Sequence, residues 1–329
     1  MTGLITILGG SGFVGRYIAR RMAKAGWRVR VATRRPNEAM FVRTYGVVGQ
    51  VEPMLCNIRD DASVRAAVEG ADAVVNCVGI LNETGKNRFA SVQVEGAQRV
   101  ARMAAEAGAL HFVQISAIGA DAASESAYAR TKAAGEEAVR KGFPGAVILR
   151  PSIIFGPEDQ FFNRFARMAR FSPFLPIAGG KTRFQPVYVD DVAKAASLAA
   201  QGGAEPGIYE LGGPDVRSFR ELMEILLGQI RRKRVIVTLP WFAARFAAWA
   251  FDLLQTVSVG LFTNNQLTRD QLKQLRRDNV VSEDAKGFAE LGIAPVPMEL
   301  ILPGYLWPYR PIGQYEDIRD SAGNLRRQE

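Results

Sequence analysis

Cysteine and histidine are nearly missing from this chain of 329 residues, which carries only Cys56, Cys77 and His111. Two thiols set in apolar segments are expected to be free, buried and reduced rather than a disulfide framework. No spacing suits a zinc site or iron–sulfur ligands, and one histidine leaves a Ser/His/Asp hydrolase almost nothing to use. Metal and hydrolase chemistry therefore drop out. Long hydrophobic runs are missing too: no uninterrupted apolar stretch reaches the roughly 18–20 residues that span a bilayer. From Met1 the chain runs straight into Leu4-Ile5-Thr6-Ile7-Leu8, without a basic region, an apolar signal core or an Arg/Ser-rich presequence. That start predicts a cytoplasm-like compartment. Also absent are an internal repeat and any Arg-rich helix or aromatic-interleaved ribbon of the nucleic-acid kind, so nucleic acid is not an expected partner.

What is present is globular material. Apolar residues make up 48% and charged residues 23%, which excludes a disordered tail protein or a collagen-like fibre. The 42 cations outnumber the 33 carboxylates by nine, and 33 of those cations are Arg, the side chain that forks onto phosphates and carboxylates. Anionic partners fit that balance.

To about residue 155, short apolar runs alternate with segments of helical period. Strands are predicted near 4–8, 28–33, 51–56, 72–78, 110–116 and 146–150, with helices starting near Phe13, Asn37, Asp60, Arg88 and Ser126. Six strands with right-handed crossovers make an α/β, doubly wound parallel sheet. Beyond it the pattern loosens into a smaller C-terminal α+β region. Pro173, Pro176 and Gly179-Gly180 interrupt a Phe-rich helix; Pro186 introduces a short strand and an Ala-rich helix; Ile208 to Leu211 is a further strand; Ser218 is an N-cap for the helix that follows. The expected division is 1–155 with 186–200 returning to it, then 156–185 and 201–310 as the smaller region, then a polar tail at 311–329.

Gly9-Gly10-Ser11-Gly12-Phe13-Val14-Gly15 follows the first strand and opens the first helix. Missing Cβ atoms permit the tight turn and let backbone N–H groups approach a pyrophosphate at the positive helix end. A site for unphosphorylated ribose would place Asp or Glu at the end of the second strand. Here Thr33-Arg34-Arg35 stands there, and guanidinium groups pair with a 2′-phosphate, so NADP(H) is favoured over NAD(H). Asn57 and Ile58 after the third strand are placed to touch the adenine, and Cys77, Val78 and Gly79 after the fourth to pass beneath a ribose.

Tyr128 and Lys132 lie four apart on one helical face, with Ser116 at the end of the fifth strand. A phenol beside an ammonium loses its proton more easily. Tyr128 could then act as acid or base on a carbonyl held by Ser116, while Lys132 also holds the nicotinamide ribose.

These residues resemble the short-chain dehydrogenase/reductase superfamily, Rossmann in fold, in its extended and atypical branch. The likeness continues through Leu149 to Pro157, Val187 to Ala193 and Tyr209 to Gly213. In detail it is most similar to the dehydrogenase-like accessory subunits of respiratory complex I, the NADH:ubiquinone oxidoreductase. That similarity rests on Tyr128 to Glu136, Phe143 to Ala146, Phe155 to Asn163, Leu239 to Phe242 and Leu291 to Glu299. The resemblance implies a bound, non-reacting NADPH touching the glycine loop, Arg34, Arg35, Tyr128, Lys132 and Pro151. It also implies docking against other subunits of the complex. Ser116, Tyr128 and Lys132 are retained, so a free NADPH-dependent reductase or epimerase, or an NADP(H)-sensing regulator, stands as the alternative. The start of the chain implies a bacterial form, peripheral on the cytoplasmic face of the inner membrane.

Pro240 to Val259 reads as one largely apolar helix carrying Phe242, Phe246, Trp249 and Leu253, suited to its own core, a partner or lipid. Phe161, Phe162, Phe165 and Phe171, interleaved with Arg164, Arg167 and Arg170, offer a second docking candidate.

Overall fold

Strands buried on both faces need continuous aliphatic sequence, and the predicted runs form them. In the computed structural model, which describes residues 3–246, 248–249, 268–313 and 315, they are β1 (Leu4–Leu8), β2 (Arg28–Thr33), β3 (Val51–Leu55), β4 (Ala73–Asn76), β5 (His111–Ile115) and β6 (Val147–Pro151). Between them run α1 (Phe13–Lys24), α2 (Asp61–Val68), α3 (Glu95–Glu106) and α4 (Ala127–Gly142). The later part contributes β7 (Ile154–Phe155), α5 (Phe162–Phe171), β8 (Phe174–Ala178), β9 (Arg183–Phe184), β10 (Val187–Tyr188), α6 (Val189–Ala200) and β11 (Gly207–Leu211). After these come β12 (Arg217–Ser218), α7 (Phe219–Gln229), β13 (Val235–Leu239), a helix over 241–246 (α8), α9 (Arg269–Gln274) and α10 (Met298–Leu306).

The main sheet is parallel, in the order β3-β2-β1-β4-β5-β6-β11. It has seven strands where the sequence suggested six. The seventh, β11, comes from residues expected in the smaller region. It pairs with β6 from Gly207 opposite Val147 to Leu211 opposite Pro151, covering an edge that would otherwise expose unpaired backbone groups. A second difference is the helix expected from Asn37. Pro36–Tyr45 winds as 3₁₀ turns, and its two buried residues, Ala39 and Val42, are three apart, the spacing that three residues per turn brings onto one face.

Alternate side chains of each strand feed two aliphatic layers. Ile5, Ile7, Val29, Val31 and Val75 pack under α1 and α6; Leu8, Val74 and Phe112 pack under α2 and α3 with Val100 and Met103. Arg21 on α1 grips Asp190 on α6 through two hydrogen bonds of 2.7 Å. The smaller region has a different core, rich in rings: Phe155, Phe162, Phe165, Phe184 and Phe219, backed by Leu222, Leu226, Met298 and Leu302. Most of the Phe-rich docking candidate is spent there. Phe162 and Phe165 are buried and Phe161 packs against them, leaving Phe171 outside at 80% exposure.

The helix expected from Pro240 to Val259 is described over 241–246 and 248–249, with Phe242, Phe246 and Trp249 exposed. Positions 247 and 250–259, and most of the tail expected at 311–329, lie outside the described residues. Among the described residues no helix is long and apolar enough to cross a membrane.

Candidate active site

The chain reverses its direction of winding between β1 and β4, where open parallel sheets present a crevice at their carboxyl ends. Two predicted segments meet there. Gly9 takes φ +74°, which glycine adopts without strain, and a Cβ on it would sit 3.3 Å from the carbonyl carbon of Cys77. A Cβ on Gly15 would lie 2.6 Å from Gly10 Cα and closer still to the Gly9 carbonyl oxygen. The wall is therefore defined by absent atoms. Gly12 caps α1 without a side-chain hydrogen bond, and no acidic residue stands in the first turn. The N–H groups of Phe13, Val14 and Gly15 thus face the crevice with no acceptor inside the helix, at its positive end. Such a cradle fits a pyrophosphate.

Ser11 Oγ donates to Thr33 Oγ1 at 3.1 Å, tying the loop to the end of β2. Just beyond, Arg34 is exposed, while Arg35 pairs with Glu38 at 3.1 Å. Among the described residues at the expected phosphate position, Arg34 is the guanidinium outside that exposed pair. The Asn57 carboxamide oxygen accepts from Arg59 N–H at 3.2 Å, and Ile58 is packed into the second aliphatic layer. What these two can offer an adenine is mainly backbone and the Asn57 edge. Pro151 ends β6, and its carbonyl accepts from Ile118 N–H at 3.0 Å.

On the far side of the crevice, the Lys132 ammonium donates to the Ile115 carbonyl at 3.4 Å and lies 3.5 Å from where a Gly79 Cβ would be. Burial pushes Lys132 down to about 8, against the pull of Glu136 and Cys77. Burial likewise pushes the Cys77 thiol up to about 12, with Lys132 opposing. The expected lowering of the Tyr128 phenol does not occur. Lys132 Nζ stands 5.8 Å from the Tyr128 ring centroid, and burial pushes the phenol up to about 12. Phe89 stacks edge-on against that ring at 5.9 Å.

Ser116 is engaged by a neighbouring carboxylate. Its hydroxyl donates through a short hydrogen bond to Glu136, which is 4% exposed. Arg150 forks onto the same carboxylate at 2.6 and 3.0 Å and reaches Glu210 at 3.3 Å. This buried Ser116–Glu136–Arg150–Glu210 chain was not foreseen. Its one visible signal is Glu136 four residues after Lys132, which extends the Tyr128/Lys132 face by a turn. Two more supports were missed. Arg16 holds the Ser11 and Gly12 carbonyls at 3.2 and 3.3 Å and pairs with Glu158 at 3.3 Å. Asp270 on α9 accepts from Ser126 Oγ and Ala127 N–H, both at 2.7 Å, and from Tyr128 N–H at 3.3 Å, fixing the start of α4.

Tyr128 also borders a cavity of about 580 Å³ between the sheet and the smaller region. Ile118, Ile153, Phe161, Phe165, Met168 and Phe184 are among its apolar lining, with Gln271 and Asn279 on the α9 side.

A glycine cradle at the reversal of a seven-stranded parallel sheet defines a Rossmann-like α/β fold. The chain belongs to the NAD dependent epimerase/dehydratase family, whose family model matches residues 5–212. Within it, the chain is 36% identical over 314 residues to the mitochondrial protein of Arabidopsis thaliana named NADH dehydrogenase (ubiquinone) 1 alpha subcomplex subunit 9, covering 94% of this chain and 78% of that one. It is 34% identical over 191 residues to a ceramide reductase of Caulobacter vibrioides, covering 58% and 59%. The fold matches an NADPH-dependent quinone oxidoreductase of Escherichia coli complexed with NADPH at TM-score 0.69 and 17% identity, over 92% of this chain and 98% of that one.

Proposed function

We propose that this protein is a non-catalytic, NADPH-binding accessory subunit of a bacterial respiratory complex I, NADH:ubiquinone oxidoreductase. On this reading it sits on the cytoplasmic face of the inner membrane, against other subunits of the complex, and stabilises the peripheral arm near the quinone-reducing region. One observation carries the idle reading: the Ser116 hydroxyl donates its hydrogen bond to Glu136, which Arg150 holds in place, so the group meant to anchor a carbonyl is engaged elsewhere. A phenol pushed up to about 12 points the same way, since proton transfer is most effective when the catalytic group titrates near the working pH. The Arabidopsis relative, alike over nearly the whole chain, supports the subunit role.

NADPH rather than NADH is supported by Arg34 just after β2, where a 2′-phosphate would meet a guanidinium in place of the Asp or Glu that binds an unphosphorylated ribose. The N–H groups of Phe13 to Gly15 would hold the pyrophosphate and Lys132 the nicotinamide ribose. When bound, the nucleotide supplies hydride chemistry in principle; here it favours the folded form by mass action. Residues 1–155 and 186–200, with β11 added, form the nucleotide-binding part, and 156–185 with the rest of 201–310 the docking part. Phe171, Phe242, Phe246 and Trp249, 46–80% exposed and accompanied by exposed Arg167, Arg170 and Arg245, suit contact with a neighbouring subunit or anionic lipid.

Purification from native membranes tests this. The protein should travel with NADH:ubiquinone oxidoreductase activity and carry one NADPH that steady NADH oxidation leaves unchanged. Recovery as a free soluble protein with rapid nucleotide exchange overturns it. The cavity beside Tyr128 and the Caulobacter relative favour a second reading, a free NADPH-dependent reductase. Turnover of an aldehyde, ketone or quinone that Tyr128→Phe abolishes would establish that reading.

A further inference from the structure

We infer that the cavity beside Tyr128 binds the long hydrocarbon tail of an amphiphile, its polar end toward Tyr128 and its tail among the rings of the smaller region. The walls argue for it first. The volume of about 580 Å³ falls inside the roughly 300–1,000 Å³ of pockets that enclose small-molecule ligands, and the side formed by α5, β8 and β9 is mostly apolar, with Phe165, Ile177 and Phe184 and with Arg164 laid over the Phe165 ring at 5.3 Å. Met168, half-buried and unbranched, lets that wall adjust to a flexible chain.

The charged rim argues second, because Lys273, Arg277 and Asp278 on it are already engaged. Lys273 donates to the Glu125 carbonyl at 3.2 Å, Arg277 pairs with Asp121 at 2.6 Å, and Asp278 accepts from Arg183 Nε and N–H at 2.8 Å. A diphosphate or other polyanion recognised by forked cations would have to break these pairs. A hydrocarbon tail breaks none.

Continuity with the surface argues third. The elements that line the cavity also carry the exposed apolar residues: α5 has Met168 inside and Phe171 outside, β8 has Ile177 inside and Phe174 outside at 54%, and β13 has Leu239 inside and Val235 outside at 58%. The same three elements thus carry both cavity-lining and exposed apolar residues, which places a tail-shaped site next to a surface suited to membrane lipid.

The test uses the full chain with its nucleotide bound and a dansyl-labelled undecanoic acid as fluorescent probe. Saturable 1:1 binding is expected, displaced by palmitic acid or by geranylgeraniol, whichever matches the natural tail. Met168→Trp and Ile153→Trp, each filling the cavity from a different wall, should weaken the probe by at least about tenfold while NADPH is retained, retention showing that the variant is folded. Absence of saturable binding overturns the inference. So does unchanged affinity in both filled variants, or loss of binding on Phe171→Ser instead, which would put the tail on the outer face. The inference rests on the nucleotide-binding reading only for the direction of the polar end. Probe binding by a protein that leaves the membrane complex would sink the subunit role and leave this site standing; a subunit that binds no probe does the reverse.

Discussion

The two halves of the crevice are built by opposite means. On the nucleotide side, seven consecutive residues shape a wall out of backbone, and the wall works because Gly9 and Gly15 leave atoms out. On the other side, rings and aliphatic chains scattered from Ile118 to Asn279 enclose about 580 Å³. A surface made of backbone cannot shift when an atom is added, whereas one made of side chains can change rotamers. The first half should therefore be brittle and specific, the second forgiving in volume and tuned by polarity.

The largest effect should come at the polar seam between the halves. Glu136→Leu removes the chief partner of Arg150, which is only 20% exposed at its side chain, and should cost about 3–5 kcal/mol in denaturant unfolding. A loss under about 1 kcal/mol would show that Glu210 alone satisfies the guanidinium. Next comes Gly15→Ala, expected to cost ~1–3 kcal/mol through overpacking and to lower retained nucleotide by at least tenfold after gel filtration. Full nucleotide content would erase the contrast between brittle and forgiving walls.

Of similar size is a pH effect on the Lys132 side. Its folded value is about 8 against an ordinary 10.5, so between those values the unfolded chain holds more protons and stability rises with pH. Tyr128 acts oppositely: at about 12 against 10.0, it keeps its proton when the unfolded chain loses it, so stability falls above pH 10. Comparing urea unfolding of the wild type and Lys132→Met from pH 7 to 10 isolates the lysine, and the wild type should gain relative to the variant above pH 8. A constant difference would put the amine in water. The smallest effect belongs to the apolar half, where Met168→Leu conserves volume and should cost less than about 1.5 kcal/mol with nucleotide content unchanged.

That contrast also explains what could be read from residues alone. The glycine loop, the first six strands and the Tyr128/Lys132 face are local patterns, each set within a few residues. Ser116 was placed correctly at the end of β5, but its partner was not legible, because Glu136, Arg150 and Glu210 meet only once α4, β6 and β11 are side by side. For the same reason β11 was assigned to the wrong region: Ile208 to Leu211 reads as a strand, and only its register against β6 says which sheet it joins. The expected easing of Tyr128 ionisation failed because spacing reports proximity to Lys132 and not loss of water. The cavity had no sequence signature, since its lining residues are far apart in the chain.

Asp270 ties these halves together mechanically. The helix bearing Tyr128 and Lys132 is clamped at its front end by a carboxylate that arrives more than a hundred residues later, on a short helix of the docking part. Whatever grips or levers α9 pulls on that clamp, and if the clamp lets go, two main-chain donors and a serine hydroxyl lose their acceptor together. On the proposed function, assembly with a neighbour and the grip on a coenzyme would share a single lever arm, whose fulcrum is one aspartate.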